Sequence, residues 1–508
     1  MSDDAPGGRE SGGGQPGGPA QPEASTSSAA APAPVDYEAL YDQIKDKPCR
    51  VVQINQRLDG FSGGKFRTRA ALLERELEPI YKAETLADVH HELDAAGRRL
   101  KQLGVFSDVN FLAHEEPLDD PSACTVDLQL EELNWFKLRA ATYVQGGEST
   151  FELGAGMANA SGNAERFDAN LEYGTENSHT ASVSYSQPRL AGLPLVLELR
   201  GSQLFRNNQK ASSFTEQLRG VVLGLKSMSG VHGLEYEIGW RRLLDPSRTA
   251  SKAVVAQMGD YLKSSLRYTA TIDHREPGAG GSAATLGGAG WAVRSTSEVA
   301  GLAPGSGAAS GTLRFVRQQL DAVANVPMDD TGAVVFSLGL TAGLLFPWGD
   351  DALLRPTCIA DRFFLGGASS LRGFKFKGAG PTDVRRPAPR TGSDEQQQPR
   401  RDALGGDAYT SIFASLMFQL PHPALQLLKV HGHAFVNGGN VVQLAGTGRS
   451  PGAMLSELGS TFRWSCGLGL VIPTPMGRFE ANYCVVMAAQ EHDRVRRGLQ
   501  LGFAASSL

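Results

Sequence analysis

The sequence predicts an all-β membrane protein, a 16-stranded antiparallel transmembrane β-barrel preceded by one small α+β domain of order β-α-α-β-β. Three observations lead there. From about residue 136 to 508 no long helical period appears. In its place, short segments alternate large apolar residues with polar residues or glycine, and about 16 of them can be counted. Residues 49–133, by contrast, carry helical and strand periods in turn.

The totals agree with such a chain. Of 508 residues, 60 are glycine, spread along the sequence rather than confined to a repeat. The net charge of −5 gives no reason to expect a nucleic-acid partner. Mean hydropathy is only −0.22, because the lumen-facing half of each barrel strand is polar. The five cysteines, Cys49, Cys124, Cys358, Cys466 and Cys484, show no CxxC or paired spacing and read as free thiols, with no zinc site.

Residues 1–36, rich in Gly, Pro, Ala and Ser, read as a disordered low-complexity tail with no apolar secretory core and little resemblance to a presequence. The small domain spans 49–133. "CRVVQINQ" is a strand, and "TRAALLERELEP" a helix for which Thr68 is the expected N-cap. "TLADVHHELDAAGRRLKQLGVF" is a second helix, capped by Thr85 with Asp88 three residues on. Its face of Val89, Leu93, Ala96, Leu100 and Leu103 is apolar, and Gly104 follows as C′. "DVNFLAHEE" and "CTVDLQLEEL" close the domain as strands.

The barrel spans 136–508, with strands expected near 138–146, 150–159, 166–174, 180–187, 193–203, 213–226, 232–243, 259–274, 289–300, 311–324, 333–346, 408–420, 429–438, 461–472, 477–488 and 498–507. The uncharged run 331–349 has almost the length of a membrane helix, but its period is 2. Val334, Phe336, Leu338, Leu340, Leu344 and Phe346 oppose Ser337, Gly339, Thr341 and Gly343. A soluble propeller would need a repeat near 40 residues, which is missing. In lipid such a sheet must close, since an open edge leaves unpaired backbone groups in hydrocarbon.

The longest break between strands holds a loop, 351–407, with "DRFFLGGASSLRGF" (361–374) and then a polar insert, "PTDVRRPAPRTGSDEQQQPRR", that reads as solvated. Gly366, Gly367 and Gly373 permit tight turns and close backbone approach around Arg372, and a buried arginine there needs acceptors. The segment Leu365, Gly366, Gly367 with Leu371, Arg372, Gly373, Phe374 resembles the arginine-glycine-aromatic loop motif of the BamA-type superfamily of barrel insertases and two-partner secretion transporters. In that superfamily the loop follows the eleventh of sixteen strands and folds into the lumen. It follows the eleventh strand of the count above as well. The preceding domain resembles a POTRA (polypeptide-transport-associated) domain, with "LGVFSDV" as its helix-to-strand junction.

"GGDAYTSIFASLMFQLP", "HAFVNGGNV", "FRWSCGLGLVIP" and "RFEANYCVVM" are similar to the core barrel subunit of the mitochondrial sorting and assembly machinery (SAM). The resemblance implies a protein of the mitochondrial outer membrane that inserts precursor β-barrel proteins such as porin through a lateral seam. It implies peripheral accessory SAM subunits and a POTRA domain facing the intermembrane space. The alternative is a plastid outer-envelope insertase or polypeptide-transport channel of the same superfamily. Asn437 and Met417 stand where bacterial relatives have acids that help hold the loop arginine. Strand parity places Phe435 and Asn437 on the lumen face with His431 and His433, so Arg372 is expected to stack on Phe435 and to hydrogen-bond Asn437, with Glu480 as a possible carboxylate partner. In the last strand, Gln500 and Gly502 fit a family targeting pattern (polar, any, Gly), whereas Ala505 and Ser507 fit its apolar positions poorly.

No enzyme chemistry emerges. "VHHELDA" has Ala95 where a zincin needs its second histidine, and "HGH" at 431–433 reads as lumen lining. No cofactor is expected.

Overall fold

The computed structural model describes residues 37–115, 122–145, 148–275, 288–302, 312–329, 332–387, 400–474 and 477–505. The expected disordered tail, 1–36, lies outside the described residues.

After a short helix α1 (Tyr37–Ile44), the N-terminal unit consists of β1 (Arg50–Asp59), α2 (Ala70–Leu77), a 3-10 turn (Glu78–Lys82), α3 (Leu86–Gln102), β2 (Phe106–Glu115) and β3 (Ala123–Glu132). The sheet order is β1-β3-β2, with β1 parallel and β2 antiparallel to β3. This is the β-α-α-β-β order expected. Thr85 and Asp88 form a reciprocal capping box at the start of α3. The α3 stripe buries Val89, Ala96 and Leu100 against Val126 and Leu128 of β3. Gly104 takes φ 70°, as a residue ending a helix in the left-handed region should. Thr68 does not cap α2. The helix begins one residue later with Arg69 as its N-cap and no side-chain cap, because the Thr68 hydroxyl is drawn to the carboxylate of Glu132.

Sixteen antiparallel strands follow in one sheet. They are β4 (Phe136–Gln145), β5 (Glu148–Ala158), β6 (Arg166–Gly174), β7 (His179–Gln187), β8 (Leu195–Asn207), β9 (Thr215–Ser227), β10 (His232–Leu244), β11 (Gly259–Asp273), β12 (Gly290–Ala300), β13 (Phe315–Pro327), β14 (Val334–Pro347), β17 (Ala408–Gln419), β18 (His431–Val442), β19 (Arg463–Thr474), β20 (Gly477–Ala488) and β21 (Gly498–Ala505). Two short strands, β15 (Thr382–Val384) and β16 (Arg401–Ala403), pair with each other inside the long loop. Every expected strand is present, with ends moved by a few residues, as for 311–324, found as Phe315–Pro327. Each barrel strand pairs with the barrel strand next to it in the chain, with the long loop intervening between β14 and β17.

The period-2 pattern dictates which face meets lipid. On β14, Phe336, Leu338, Leu340, Leu344 and Phe346 are exposed outward, while Ser337 is buried inward. No described helix is long and apolar enough to cross a membrane; the strands do so instead. The first and last strands, β4 and β21, come into contact, but no backbone ladder joins them among the described residues.

Two buried polar clamps fix the N-terminal unit to the near-side turns of the sheet. Glu132, at the end of β3, accepts from the backbone N–H of Arg67 and Thr68 (3.0 and 2.8 Å), from the Thr68 hydroxyl, and from Asn159 Nδ2 at 3.1 Å. Asn159 lies in the β5–β6 turn, and that turn also accepts Arg69 N–H at the Gly162 carbonyl, 2.9 Å. The second clamp joins Glu76 of α2 to Arg189 in the β7–β8 turn, with Nε 2.7 Å from Oε1 and Nη2 donating to Oε2 at 2.8 Å.

Glu132→Ala would leave the Thr68 and Arg67 N–H groups and the Thr68 hydroxyl without their acceptor, an expected loss of about 2–4 kcal/mol. Denaturant titration of the detergent-solubilised chain should show the N-terminal unit unfolding or detaching well before the barrel. Unchanged unfolding of this unit would show that Glu132 is not its anchor.

Candidate functional site

The site is the long loop after β14 and the wall it sits on. The loop returns into the barrel because its root is anchored by two salt-linked residues. Asp361 meets Arg241 of β10, with Nη1 donating to Oδ2 at 2.6 Å, and Glu216 of β9 lies 3.0 Å from Arg241 Nε. Arg362 donates to the Thr357 hydroxyl and carbonyl (both 2.8 Å) and to the Leu404 carbonyl (3.1 Å), and its Nε lies 4.0 Å from Asp407 Oδ1. Asp407, where β17 begins, accepts the backbone N–H groups of Leu444 and Ala445 at 2.8 and 2.9 Å. The two chains of the loop thus enter and leave the barrel mouth side by side.

Apolar side chains of the loop fill the space between. Leu365, Leu371 and Phe374 are wholly buried, and Phe363 stacks on Tyr409 with ring centroids 4.5 Å apart. Gly366 has φ 116°, and a Cβ there would stand 2.5 Å from the Lys375 carbonyl oxygen. Gly373 has φ 84°, and a Cβ would meet Val486 at 2.9 Å and Ser465 at 3.2 Å. At both positions glycine is required by conformation and by space together. Gly367 also has positive φ, 113°, at the turn closed by its bridge to Leu371.

Arg372 extends from this turn to the inner wall. Its guanidinium makes a bidentate ion pair with Glu480 of β20, Nε–Oε2 2.9 Å and Nη2–Oε1 2.9 Å, and it is 4% exposed. It lies over the rings of Phe413 (4.3 Å) and Phe435 (5.3 Å). The expected stacking partner Phe435 is therefore met, with Phe413 of β17 the nearer ring. The expected hydrogen bond from the guanidinium to Asn437 is corrected. Asn437, with its carboxamide oxygen turned to meet a donor, accepts instead from the backbone N–H of Arg372 at 2.8 Å and donates to Ser465 Oγ at 2.8 Å. Ser465 Oγ in turn donates to the Arg372 carbonyl. A neutral amide suits a backbone group, and the carboxylate is left for the charge.

Glu480 serves more than one donor. Arg478 Nε lies 2.9 Å from its Oε1, and Asn482 Nδ2 donates to Oε2 at 2.9 Å. Asn482 also meets His433 Nε2 at 2.6 Å, so one of the two lumen histidines belongs to this network. His431 is buried on the same face.

The loop also reaches the last strand. Gly373 N–H donates to Gln500 Oε1 at 2.9 Å, and Gln500 Nε2 donates to the Phe374 carbonyl at 3.3 Å. A Cβ on Gly502 would stand 2.3 Å from Ala368 Cβ. Just before β21, Arg496 N–H donates to the Gly373 carbonyl and Arg494 N–H to the Gly378 carbonyl, 2.8 and 2.7 Å. The two positions singled out for a targeting pattern are, in the folded chain, where the loop rests.

Where it is described, the polar insert is exposed or half-buried, and two of its arginines also make bonds to neighbouring loops. Arg385 pairs with Asp402 (2.7 Å) and donates to the Gln209 and Lys210 carbonyls. Arg386 reaches Asp245 (2.9 Å) and the Ala250 carbonyl. These arginines tie the insert to the β8–β9 and β10–β11 loops, Arg385 half-buried and Arg386 exposed; residues 388–399 lie outside the described residues. Sequence reasoning missed Asp361, Arg241, Asp407, Ser465 and Phe413 as well. The only local signals were the "DR" before "FFLGG" and the aspartate of "GGDAYTS".

Comparison with known proteins matches this architecture. The model of the Omp85 superfamily domain matches residues 159–506. A sorting and assembly machinery component 50 homolog from Xenopus laevis is 31% identical over 86% of this chain and 88% of its own length. The chain belongs to the Omp85 superfamily, in its sorting and assembly machinery component 50 family. The corresponding homologs of Bos taurus and Homo sapiens are 30% and 29% identical, each over 92% of both chains. Among solved structures, BamA from Haemophilus ducreyi lacking POTRA domains 1-3 shares the fold with a TM-score of 0.66 at 16% identity, over 89% of this chain and 84% of that one. In this Omp85 chain the α+β unit ahead of the sheet is consistent with a POTRA domain.

The shared use of Glu480 orders the effects of substitution. Arg372→Ala leaves Glu480 paired with Arg478 and Asn482, an expected cost of about 2–3 kcal/mol, whereas Glu480→Ala leaves two arginines facing each other, about 3–5 kcal/mol. Thermal unfolding in detergent should therefore fall further for Glu480→Ala; the opposite order would remove Glu480 from the centre of the site. Arg372→Lys should behave more like Arg372→Ala than like the parent, since an ammonium cannot make the forked pair and stack together.

Proposed function

We propose that this chain inserts precursor β-barrel proteins into the mitochondrial outer membrane through the seam between β4 and β21, and is not an enzyme. The observation that carries the reading is the condition of the last strand. β21 is bonded to β20 along one edge, has no ladder to β4 among the described residues, and rests its inner face on the loop through Gln500 and Gly502. An unladdered strand edge in a membrane is costly, and an incoming strand satisfies it by main-chain hydrogen bonds. The similarity to sorting and assembly machinery components agrees with this role, and those relatives are named as assembly components rather than enzymes.

In this reading the loop is the support that keeps β21 in place while the seam is unladdered. Arg372, Leu371 and Phe374 hold the loop; Gly373 and Ala368 present it to Gln500 and Gly502. The POTRA-like unit faces the intermembrane space, where precursors such as porin arrive, and accessory SAM subunits complete the machine around the barrel. A plastid-envelope polypeptide channel of the same superfamily is the other reading. The match to component 50 homologs over most of their length favours the mitochondrial one.

Single cysteines at Leu138 or Ala140 of β4, combined in turn with one at Leu499 or Leu501 of β21, should yield a pair that oxidises across the seam. Porin insertion by the locked protein should stop and return on reduction. Normal insertion through a locked seam would defeat the proposal. Gly502→Val, whose side chain collides with Ala368, should slow insertion several-fold and expose the loop to protease, both relieved in part by Ala368→Gly.

A further inference from the structure

We propose that Cys49 and Cys124 form a redox-operated disulfide staple in the N-terminal α+β unit. Spacing in the sequence set them apart as two free thiols, but the fold brings their sulfurs to 3.3 Å. They sit on neighbouring parallel strands. Arg50, next to Cys49, pairs with Ala123, and Val51 with Cys124. Both side chains point to the α2/α3 side of the sheet and pack with its core. That register sets the two cysteines two residues out of step on the same face of the strand pair, and from a sulfur separation of 3.3 Å closing the bond to about 2.05 Å needs an approach of roughly 1.3 Å. The other three cysteines stand elsewhere: Cys358 in the long loop near Arg241, Cys466 and Cys484 on barrel strands.

The two thiols are unequal in the way a two-step exchange requires. Cys49 is half-buried and open to a small oxidant, whereas Cys124 is buried. Burial pushes the Cys124 thiol up to about 12, so it is the slower nucleophile. The oxidant is a small-molecule disulfide of the glutathione class. The Cys49 thiolate attacks one sulfur of glutathione disulfide, forming the mixed disulfide and expelling one glutathione thiolate, which takes up the proton Cys49 lost. Cys124 then loses its proton, attacks the Cys49 sulfur, and expels the second glutathione. In total two protein thiols and one glutathione disulfide become one protein disulfide and two glutathiones. Two electrons pass from the protein to the oxidant.

The cross-link joins residues 75 apart and encloses α2, α3 and β2. It restricts the unfolded chain and holds β1 to β3 beside the register shift between Val51 and Gln53. β3 is the strand that ends at Glu132, the anchor of this unit on the barrel turn. Oxidation would therefore stiffen the strand through which the unit is held beneath the barrel.

The test uses the full chain in detergent, equilibrated with glutathione disulfide or with reduced glutathione. Thiols titrated under denaturing conditions should fall from five to three on oxidation. A non-reducing digest should give one peptide linking Cys49 to Cys124, and the melting temperature of the N-terminal unit should rise by about 5 °C. Cys124→Ser should trap glutathione on Cys49, and Cys466→Ser should leave the link intact. Five free thiols after oxidation, or a glutathione adduct on wild-type Cys49 that never resolves into the link, would overturn the proposal.

Discussion

A buried arginine without a carboxylate could not remain in this barrel, and the pairing of Arg372 with Glu480 is the constraint around which the inner wall is arranged. Taking a guanidinium out of water costs several kcal/mol, recovered only when geometry and charge are both right. Here the fork is matched by two carboxylate oxygens, two aromatic rings close its face, and the backbone of the same residue is bonded by Asn437 and Ser465. The loop glycines follow from that demand. Gly366 and Gly373 let the chain turn sharply enough, and sit closely enough to β19 and β20, for the arginine to reach Glu480.

The same loop then ties together strands that the sheet alone joins only in sequence. It touches β17 through Phe413, β18 through Phe435 and Asn437, β19 through Ser465, β20 through Glu480, and β21 through Gln500 and Gly502. The C-terminal strands, which carry the seam, therefore have an internal support that does not depend on pairing with β4. Among the described residues no ladder joins β21 to β4, and the loop gives that last strand contacts of its own. At the other end of the molecule, Glu132 and Glu76 use the same physics on a smaller scale, each a buried carboxylate gathering donors from two units.

Much of this was legible in the sequence because it is local. The period of 2 fixes which residues of a strand share a face, so the sixteen strands, the lipid-facing row on β14, and the inward facing of Asn437 and Glu480 all follow from the order of residues. The capping box of α3 and the turn at Gly104 are legible for the same reason. Thr68 shows where locality fails. Its position before a helix suggested a cap, but a carboxylate 64 residues away, Glu132, competes for its hydroxyl and wins.

What the sequence by itself determined was the strand count, the alternation of faces and, through its motifs, the family. Each of these is written in neighbours a few residues apart. Tertiary structure alone decided the partners: that Asn437 takes the backbone and Glu480 the charge of Arg372, that Gln500 and Gly502 lie beneath the loop, that Asp361 finds Arg241, and that Cys49 touches Cys124. The reason is physical. A hydrogen bond or ion pair acts over about 3 Å, and which groups come that close across a hundred residues of chain depends on how a whole sheet curves and where a loop re-enters it.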